Sequence, residues 1–394
     1  MTPDVFAPAT LGPVRLRNRV IKAATFEGMT KGGVVSPELI DFHRRVAAGG
    51  VGMTTVAYLA VSPEGRTHRH QIYWRADALP GLRRLTEAVH AEGAAASAQI
   101  GHAGPVADGR SNGVPALSPH RMFSPLSLQF TRRATTADIH RIVRAHADVA
   151  RMAIDAGFDA VEIHLGHNYL ASAFLSPRLN RRRDAYGGSL ENRARFPRAI
   201  ARAVRDAVGD RLGIIAKLNL DDGVRHGLRL DEAIQVARWL EQDGSLDALE
   251  MTAGSSLLNP MYLFKGPAPL REFAAAMREP VRTGVRLFGR NRLHSYPYRD
   301  GYLLDDAKQV RAAVGLPMIL LGGVTGRAVM DEAMRSGFAF VAMARALLRE
   351  PDLVRRLRAD PDTRSLCSHC NRCMPTIYSG TRCVELPNTQ KVVG

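Results

Sequence analysis

Short apolar runs alternate with longer amphipathic segments along most of the chain. Buried strands that each lead into a helix are typical of a parallel sheet, whose strands are covered on both faces. Eight such runs can be counted: "RVIKAAT" (19–25), "VGMTTVAY" (51–58), "AAASAQI" (94–100), "AVEIHL" (160–165), "GIIAKLNL" (213–220), "LDALEMTAG" (246–254), "MILLGGV" (318–324) and "FAFVAMAR" (338–345). Eight strand–helix units predict an α/β protein closed into a (β/α)8 barrel, the TIM-barrel architecture.

The segments between these runs carry helix signals. "TTADIHRIVRAHADVARMAIDAGF" begins with a Thr/Asp cap at Thr135, places Ile139, Ile142 and Val149 on one face, and stops at Gly157. "LRLDEAIQVARWLEQDG" and "GRAVMDEAMRSGF" repeat this pattern before the sixth and eighth runs. An open, doubly wound sheet is the alternative, but its Gly-rich first turn is missing, because the first run continues into "AATFEGM".

The domain organisation follows from this count. Residues 1–360 are predicted to form the barrel, and residues 361–394 form a C-terminal extension that contains all four cysteines. A long segment, residues 255–305, follows the sixth run and therefore falls at the C-terminal face of the barrel, where active sites lie. We expect it to cover a substrate pocket as a lid, with an oligomer contact as the alternative.

Composition narrows the classes of partner. The chain has 394 residues, 45% of them hydrophobic, and a formal net charge of +16. The arginines are scattered and no basic tail accompanies them, so we expect no nucleic-acid partner. The N-terminus has no apolar segment behind a basic start, and no run of about 18 apolar residues occurs. These features predict a cytoplasmic protein without a membrane partner.

The fourth run ends in an unusual cluster of polar rings. In "VEIHLGHNYL" the buried pattern of Val161 and Ile163 is followed by His164, His167 and Tyr169. Two histidines at this spacing suggest a metal site, but a zinc HExxH motif needs a helix and an intervening Glu, and neither is predicted here. A metal site at these histidines is therefore not expected.

A family resemblance rests on this region. The segment "GFDAVEIHLGHNYLASAFLSPRLNRRRDAYGGSLENRARF" resembles the Old Yellow Enzyme family of FMN-dependent ene reductases, whose signature combines HxxHxY or HxxNxY with FLSP and YGGSxENR. The likeness runs from "LGPVRLRNRV" to "ARALLREPDL". It implies that His164 and His167 bind a substrate carbonyl oxygen, where negative charge builds as hydride reaches the β-carbon. It also implies that Tyr169 protonates the α-carbon.

The resemblance further implies an FMN site at the ends of the strands. Gln99 and Lys217 would contact the pyrimidine edge, where a cation favours the anionic reduced ring. Many relatives carry Arg at the position of Lys217. The lysine offers a compact ammonium group in place of the planar guanidinium, which can form two parallel hydrogen bonds. The other implied contacts are Ala23, Ala24, Thr25, Ala57 and Tyr58 along the ring, and Gly322, Gly323, Ala344 and Arg345 at the phosphate.

One position departs from the family pattern. Phe26 stands where family members usually carry Thr, Cys or His, whose polar side chain tunes the flavin O4. Phe26 cannot donate a hydrogen bond, so the family's flavin potential and substrate preference are not transferred to this chain. The direction of the adjacent Glu27 is left open by the sequence.

The four cysteines follow a Cx2Cx2Cx9C spacing: Cys367, Cys370, Cys373 and Cys383. Three closely spaced thiolates and a fourth from a short loop are typical of a [4Fe-4S] cluster, and zinc or free thiols are the alternatives. Their position after the barrel is similar to the iron–sulfur subgroup of the family, the 2,4-dienoyl-CoA reductase and trimethylamine dehydrogenase type. His369 is a candidate replacement ligand.

Together these observations predict an FMN-dependent oxidoreductase that reduces an activated C=C bond of a small-molecule substrate. NADH and NADPH are both candidates for the reductant. The alternative is an iron–sulfur flavoprotein dehydrogenase that passes single electrons to an electron-transfer protein. We expect a homo-oligomer.

Overall fold

The computed structural model describes residues 2–124 and 127–386. Eight parallel strands close into one barrel in chain order. They are β1 (Val20–Lys22), β2 (Met53–Ala60), β3 (Ala95–Gly101), β4 (Ala160–Leu165), β5 (Gly213–Asn219), β6 (Ala248–Thr252), β7 (Met318–Leu320) and β8 (Phe340–Met343). Each of the eight predicted runs contains or overlaps one of these strands, so the predicted (β/α)8 fold is confirmed.

In the described part of the chain, eight helices, one in each strand–helix unit, lie outside the barrel strands. They are α1 (Pro37–Ala48), α2 (Leu79–Ala91), α3 (Thr136–Asp155), α4 (Leu190–Val208), α5 (Leu230–Gln242), α6 (Leu304–Ala313), α7 (Arg327–Arg335) and α8 (Leu353–Ala359). Helix α3 begins where the sequence predicts, because Thr135 and Asp138 form a capping box that satisfies backbone donors of the first turn. Among the described residues, no helix combines the length and the apolar character needed to cross a membrane.

The amino-terminal end of the barrel is closed by a hairpin of two short strands, Ala9–Leu11 and Val14–Leu16. Leu11 and Leu16 are fully buried and pack with barrel residues such as Met53 and Phe340. This end of the barrel is therefore filled by apolar side chains. Charged side chains are buried instead towards the carboxyl ends of the strands, and they need partners because an unpaired buried charge is costly.

The segment predicted as a lid, residues 255–305, contains three helices: Pro260–Phe264, Leu270–Ala276 and Val281–Arg292. Its last residues already belong to α6, which begins at Leu304. Short helices also follow β3 (Gly109–Asn112), β4 (Leu170–Leu175) and β8 (Arg345–Arg349).

The predicted extension comprises residues 361–394, and its described part, residues 361–386, packs against loops at the carboxyl end of the barrel. Within it a 3-10 turn spans Met374–Tyr378, and residues 387–394 lie outside the described residues. The Thr381 N–H donates to the Glu27 carbonyl at 2.7 Å. The Asn371 side chain donates to the Lys265 carbonyl at 2.7 Å and to the Pro267 carbonyl at 3.0 Å. The extension thus joins the loop after β1 to the segment after β6.

Candidate active site

The three rings singled out by the sequence meet at the end of β4. His167 and Asn168 both have φ near +58°, which turns the chain sharply after the strand. The ring centroids of His164 and Tyr169 are 4.3 Å apart, and those of His164 and His167 are 5.1 Å apart. His164 and Tyr169 are almost completely buried. The structure therefore brings all three predicted side chains together.

Two residues that sequence reasoning missed hold this turn in place. The Asn219 side-chain oxygen accepts a hydrogen bond from the His167 N–H at 3.0 Å. The Thr252 hydroxyl lies 2.8 Å from His167 Nε2. Asn219 is the last residue of β5 and Thr252 is the last residue of β6. In the sequence, a polar residue at the end of an apolar run was the feature that could have identified them. Tyr58 supports the cluster from β2, with its ring 5.2 Å from that of Tyr169.

Both histidines are neutral in this environment. Burial lowers the pKa of His164 well below its usual range, and the neighbouring His167 and Lys217 lower it further. Burial, and after it the charge of Lys217, lowers the pKa of His167 to about 3. A neutral imidazole still carries one N–H donor, so the pair can bind an oxygen without bringing a net charge to the site.

The residues predicted to line the flavin ring lie around the mouth of the barrel. Ala23 and Tyr58 are buried, while Ala24, Thr25 and Ala57 are partly exposed. The Tyr58 hydroxyl donates to the Gly65 carbonyl, so this residue belongs to the wall of the site. Ala24, Thr25 and Ala57 are small and partly exposed at neighbouring strand ends, so the chemistry of these residues fits contact with an FMN ring.

Gln99 and Lys217 are engaged by carboxylates that the sequence analysis did not include. Gln99 Nε2 donates to Glu162 Oε1 at 2.5 Å. Lys217 Nζ lies 2.8 Å from the same oxygen and 2.8 Å from Glu250 Oε1. All four side chains are buried. Glutamates inside two apolar strands were the available sequence signal, because a buried carboxylate requires a partner.

Glu27, whose direction the sequence left open, is buried against Lys22 and lies 3.8 Å from the His43 ring of helix α1. Its carboxylate lies 2.6 Å from Lys22 Nζ and accepts the Ala57 N–H at 2.9 Å. Glu27 therefore fixes the end of β1 to β2. Its neighbour Phe26 is partly exposed, and its ring packs edge-on against His68.

The residues predicted at the phosphate follow β7 and β8. Gly322 and Gly323 have φ of +103° and +79°. A Cβ atom at Gly322 would lie 2.7 Å from the Leu303 side chain, so close packing alone requires a glycine there. The guanidinium of Arg345, which follows Ala344, donates to the Phe264 carbonyl at 2.6 Å and to the Asn371 side chain. Arg345 thus links the barrel to the segment after β6 and to the extension.

The four cysteines line one pocket, together with residues that include Arg345 and Leu348. Burial raises the pKa of the Cys373 thiol to about 12. Within residues 2–124 and 127–386, no group of three or more His, Cys, Asp or Glu side chains is gathered closely enough to hold a single metal ion. His369, the candidate replacement ligand, instead stacks on Tyr298 with ring centroids 3.5 Å apart.

Comparisons with known proteins place the chain in a family. Residues 4–255 match the family described as NADH:flavin oxidoreductase / NADH oxidase. The chain is 53% identical over 383 residues to a 4,4'-dithiodibutanoate disulfide reductase of Rhodococcus erythropolis, covering 97% of this chain and 95% of that protein. It is 30% identical over 379 residues to an NADH oxidase of Thermoanaerobacter brockii, covering 94% of this chain and 53% of that protein.

A solved structure of 2-naphthoyl-CoA reductase superposes with a TM-score of 0.84 at 25% identity, covering 98% of this chain and 57% of that one. The chain belongs to the NADH:flavin oxidoreductase family, which confirms the resemblance to the Old Yellow Enzymes. It is an FMN-dependent NAD(P)H oxidoreductase.

Proposed function

We propose that this enzyme uses NAD(P)H to reduce an activated C=C bond of a small molecule. The observation that carries the proposal is the contact among His164, His167 and Tyr169 at the mouth of the barrel. The His164 ring centroid lies 5.1 Å from that of His167 and 4.3 Å from that of Tyr169. Bound FMN supplies the hydride. The two neutral histidines bind the carbonyl oxygen through N–H groups and stabilise the negative charge that develops there. Tyr169 gives its hydroxyl proton to the α-carbon.

The flavin would be held by side chains from most of the strands. Gln99 and Lys217 are proposed to contact the pyrimidine edge, and Ala24, Thr25 and Ala57 the ring. Gly323 and Arg345 are proposed to contact the phosphate. These assignments are supported by the common position of the residues at carboxyl strand ends, where barrels of this type bind cofactors.

Reduction of an organic disulfide is the second candidate. It is favoured by the 53% identity to the R. erythropolis disulfide reductase over nearly the whole length of both chains. In this reaction the S–S bond breaks, one sulfur receives the hydride as an S–H bond, and the other leaves as a thiolate that takes up a proton. The same histidine pair would stabilise the departing thiolate.

Anaerobic stopped-flow reoxidation of the NAD(P)H-reduced enzyme tests both candidates. Enones and 4,4'-dithiodibutanoate are offered separately to the wild type, to Tyr169→Phe and to the matched control Tyr186→Phe. If C=C reduction is correct, enones reoxidise the wild type, and Tyr169→Phe slows that step by about 10²-fold or more without slowing reduction by NAD(P)H comparably. Reoxidation by the disulfide alone supports the second candidate, and reoxidation by neither contradicts both.

We further propose that the cysteine pocket holds a [4Fe-4S] cluster, which would pass single electrons to or from the flavin. The support for this proposal is that all four cysteines line one pocket and follow a spacing of three close thiols and a fourth from a short loop. Arg345 and Arg349, which lies 3.9 Å from Cys383 Sγ, would offset part of the negative charge of the thiolates.

A further inference from the structure

Three buried side chains, Glu162, Lys217 and Glu250, form a carboxylate–ammonium–carboxylate trio in contact with Gln99, and Gln99 and Lys217 are the residues proposed to contact the pyrimidine edge of the flavin. We propose that the two glutamates share one proton, so that the trio is electrically neutral and Lys217 does not act as a free cation towards the flavin. Glu162 and Glu250 would then be positioning residues that set the relative affinity for oxidised and reduced FMN. This inference rests on the FMN placement in the proposed function.

The geometry of neighbouring strands creates the trio. Glu162 on β4 is paired in register with Gln99 on β3, and Lys217 on β5 is paired with Glu250 on β6. One oxygen, Glu162 Oε1, is within hydrogen-bonding distance of both Gln99 and Lys217. Glu162 therefore fixes both groups that are proposed to contact the pyrimidine edge.

Counting charges shows why a shared proton is expected. Two carboxylates beside one ammonium leave one negative charge in excess, and all three side chains are at most 2% exposed. Within the described part of the chain, Glu162 Oε2 has no hydrogen-bond donor. An uncompensated buried charge costs several kcal/mol or more, whereas one proton removes the excess charge and supplies a donor.

The titration behaviour agrees with this geometry. Burial raises the pKa of Glu250 to about 8, and contact with Glu162 adds to the rise, although Lys217 opposes it. Burial lowers the pKa of Lys217, but the two glutamates outweigh that effect and raise it above its ordinary value. The lysine therefore stays charged while the carboxyl pair keeps one proton, which belongs to the pair as a unit.

The other ionisable groups facing the trio do not change this balance. Lys22 and Glu27 lie 2.6 Å apart and compensate each other. His164 and His167 are neutral, because burial lowers the pKa of each far below its ordinary value. The trio thus determines the net charge around Lys217, and that charge is zero.

The two single variants and the double variant should behave differently. In Glu162→Gln the remaining Glu250 ionises against Lys217, and in Glu250→Gln the remaining Glu162 stays ionised, so neither single variant changes the net charge. In Glu162→Gln/Glu250→Gln the lysine is uncompensated and favours the anionic reduced flavin. We expect the ratio of the FMN dissociation constants, oxidised over reduced, to rise at least about tenfold only in the double variant, which corresponds to about +30 mV for a two-electron couple.

The test combines redox titration of FMN-loaded protein with infrared spectroscopy of the flavin-free protein. The wild type should show the C=O stretch of one buried protonated carboxyl group, and both single variants should lose it. Glu232→Gln, which removes a carboxylate paired with Arg193 outside the barrel, is the control and should change neither readout. The inference is overturned if Glu162→Gln keeps the carboxyl band, or if the double variant has the wild-type potential.

These readouts separate the inference from the proposed function. If the chain binds no FMN, the proposed function fails, yet the infrared bands of the flavin-free single variants still decide whether the proton is shared. If the double variant does not fold, the infrared bands of the single variants still decide whether the two glutamates share a proton. Circular dichroism of each variant establishes which case applies.

Discussion

At the scale of single residues, the site combines two neutral imidazoles with a buried ammonium group. His164 and His167 are kept neutral chiefly by burial, and the positive charge of Lys217 adds to the effect. A protonated histidine here would place a second positive charge beside the lysine without a carboxylate of its own. The proposed oxygen-binding pair is therefore a set of uncharged N–H donors whose state does not change near neutral pH.

The first prediction follows from the pKa of His167, which is lowered to about 3. An unperturbed histidine near 6.5 would gain a proton as the pH falls, but this one stays neutral. We expect the rate of enone-driven reoxidation of the reduced enzyme to show no inflection attributable to histidine between about pH 5 and pH 8. Stopped-flow measurements across this range check it, and an inflection near pH 6.5 would contradict the neutral pair.

At the scale of elements, the C-terminal extension connects several loops at the mouth of the barrel by hydrogen bonds. Thr381 binds the carbonyls of Phe26 and Glu27 after β1, through its hydroxyl and N–H respectively. Asn371 binds Arg345 after β8 and the carbonyls of Lys265 and Pro267 after β6. The loops proposed to hold the flavin are thus connected through a segment that carries the cysteines.

The docking of the extension depends on a close approach at Gly28. This residue has φ of +61°, and a Cβ atom there would lie 1.8 Å from the Ile377 carbonyl oxygen. We predict that Gly28→Ala displaces the extension, lowers the thermal midpoint and increases proteolysis within residues 361–386. Limited proteolysis with mass spectrometry measures the effect.

Gly32→Ala is the matched control for this change. Gly32 has a similar φ of +66°, but a Cβ atom there would meet nothing within 4 Å. It should cost only about 1–2 kcal/mol for the left-handed conformation and leave the extension protected. Equal proteolysis of the extension in both variants would show that the contact with Ile377 does not hold it.

At the scale of the whole molecule, the sequence was sufficient to predict the barrel, whereas the roles of the residues at its mouth stay predictions. Eight apolar runs and a capping box identify strands and helices because those signals are local. The partners of these residues were missed for a physical reason. Glu162, Glu250 and Thr252 contact partners on other strands that are far apart in sequence. The sequence pattern alone does not show which interior side chains converge.

The extension also connects the cysteine pocket to the barrel, since Arg345 lines that pocket and follows β8. Because all four cysteines surround one pocket, loss of any one should remove the centre while the barrel still folds. We predict that protein purified without oxygen contains iron and acid-labile sulfide at about four each per chain. Cys370→Ala should lose both and keep FMN.

Metal analysis together with flavin absorbance decides the outcome. Ser368→Ala, a change beside the same pocket at a residue that is not a proposed ligand, is the control and should retain the iron. One zinc per chain would establish the alternative centre, and no metal would mean free thiols. If iron is lost together with FMN in Cys370→Ala, the connection of the loops by the extension is needed for flavin binding. Asn371 lies between Cys370 and Cys373, Thr381 lies between Cys373 and Cys383, and the two residues bind the loops after β1, β6 and β8.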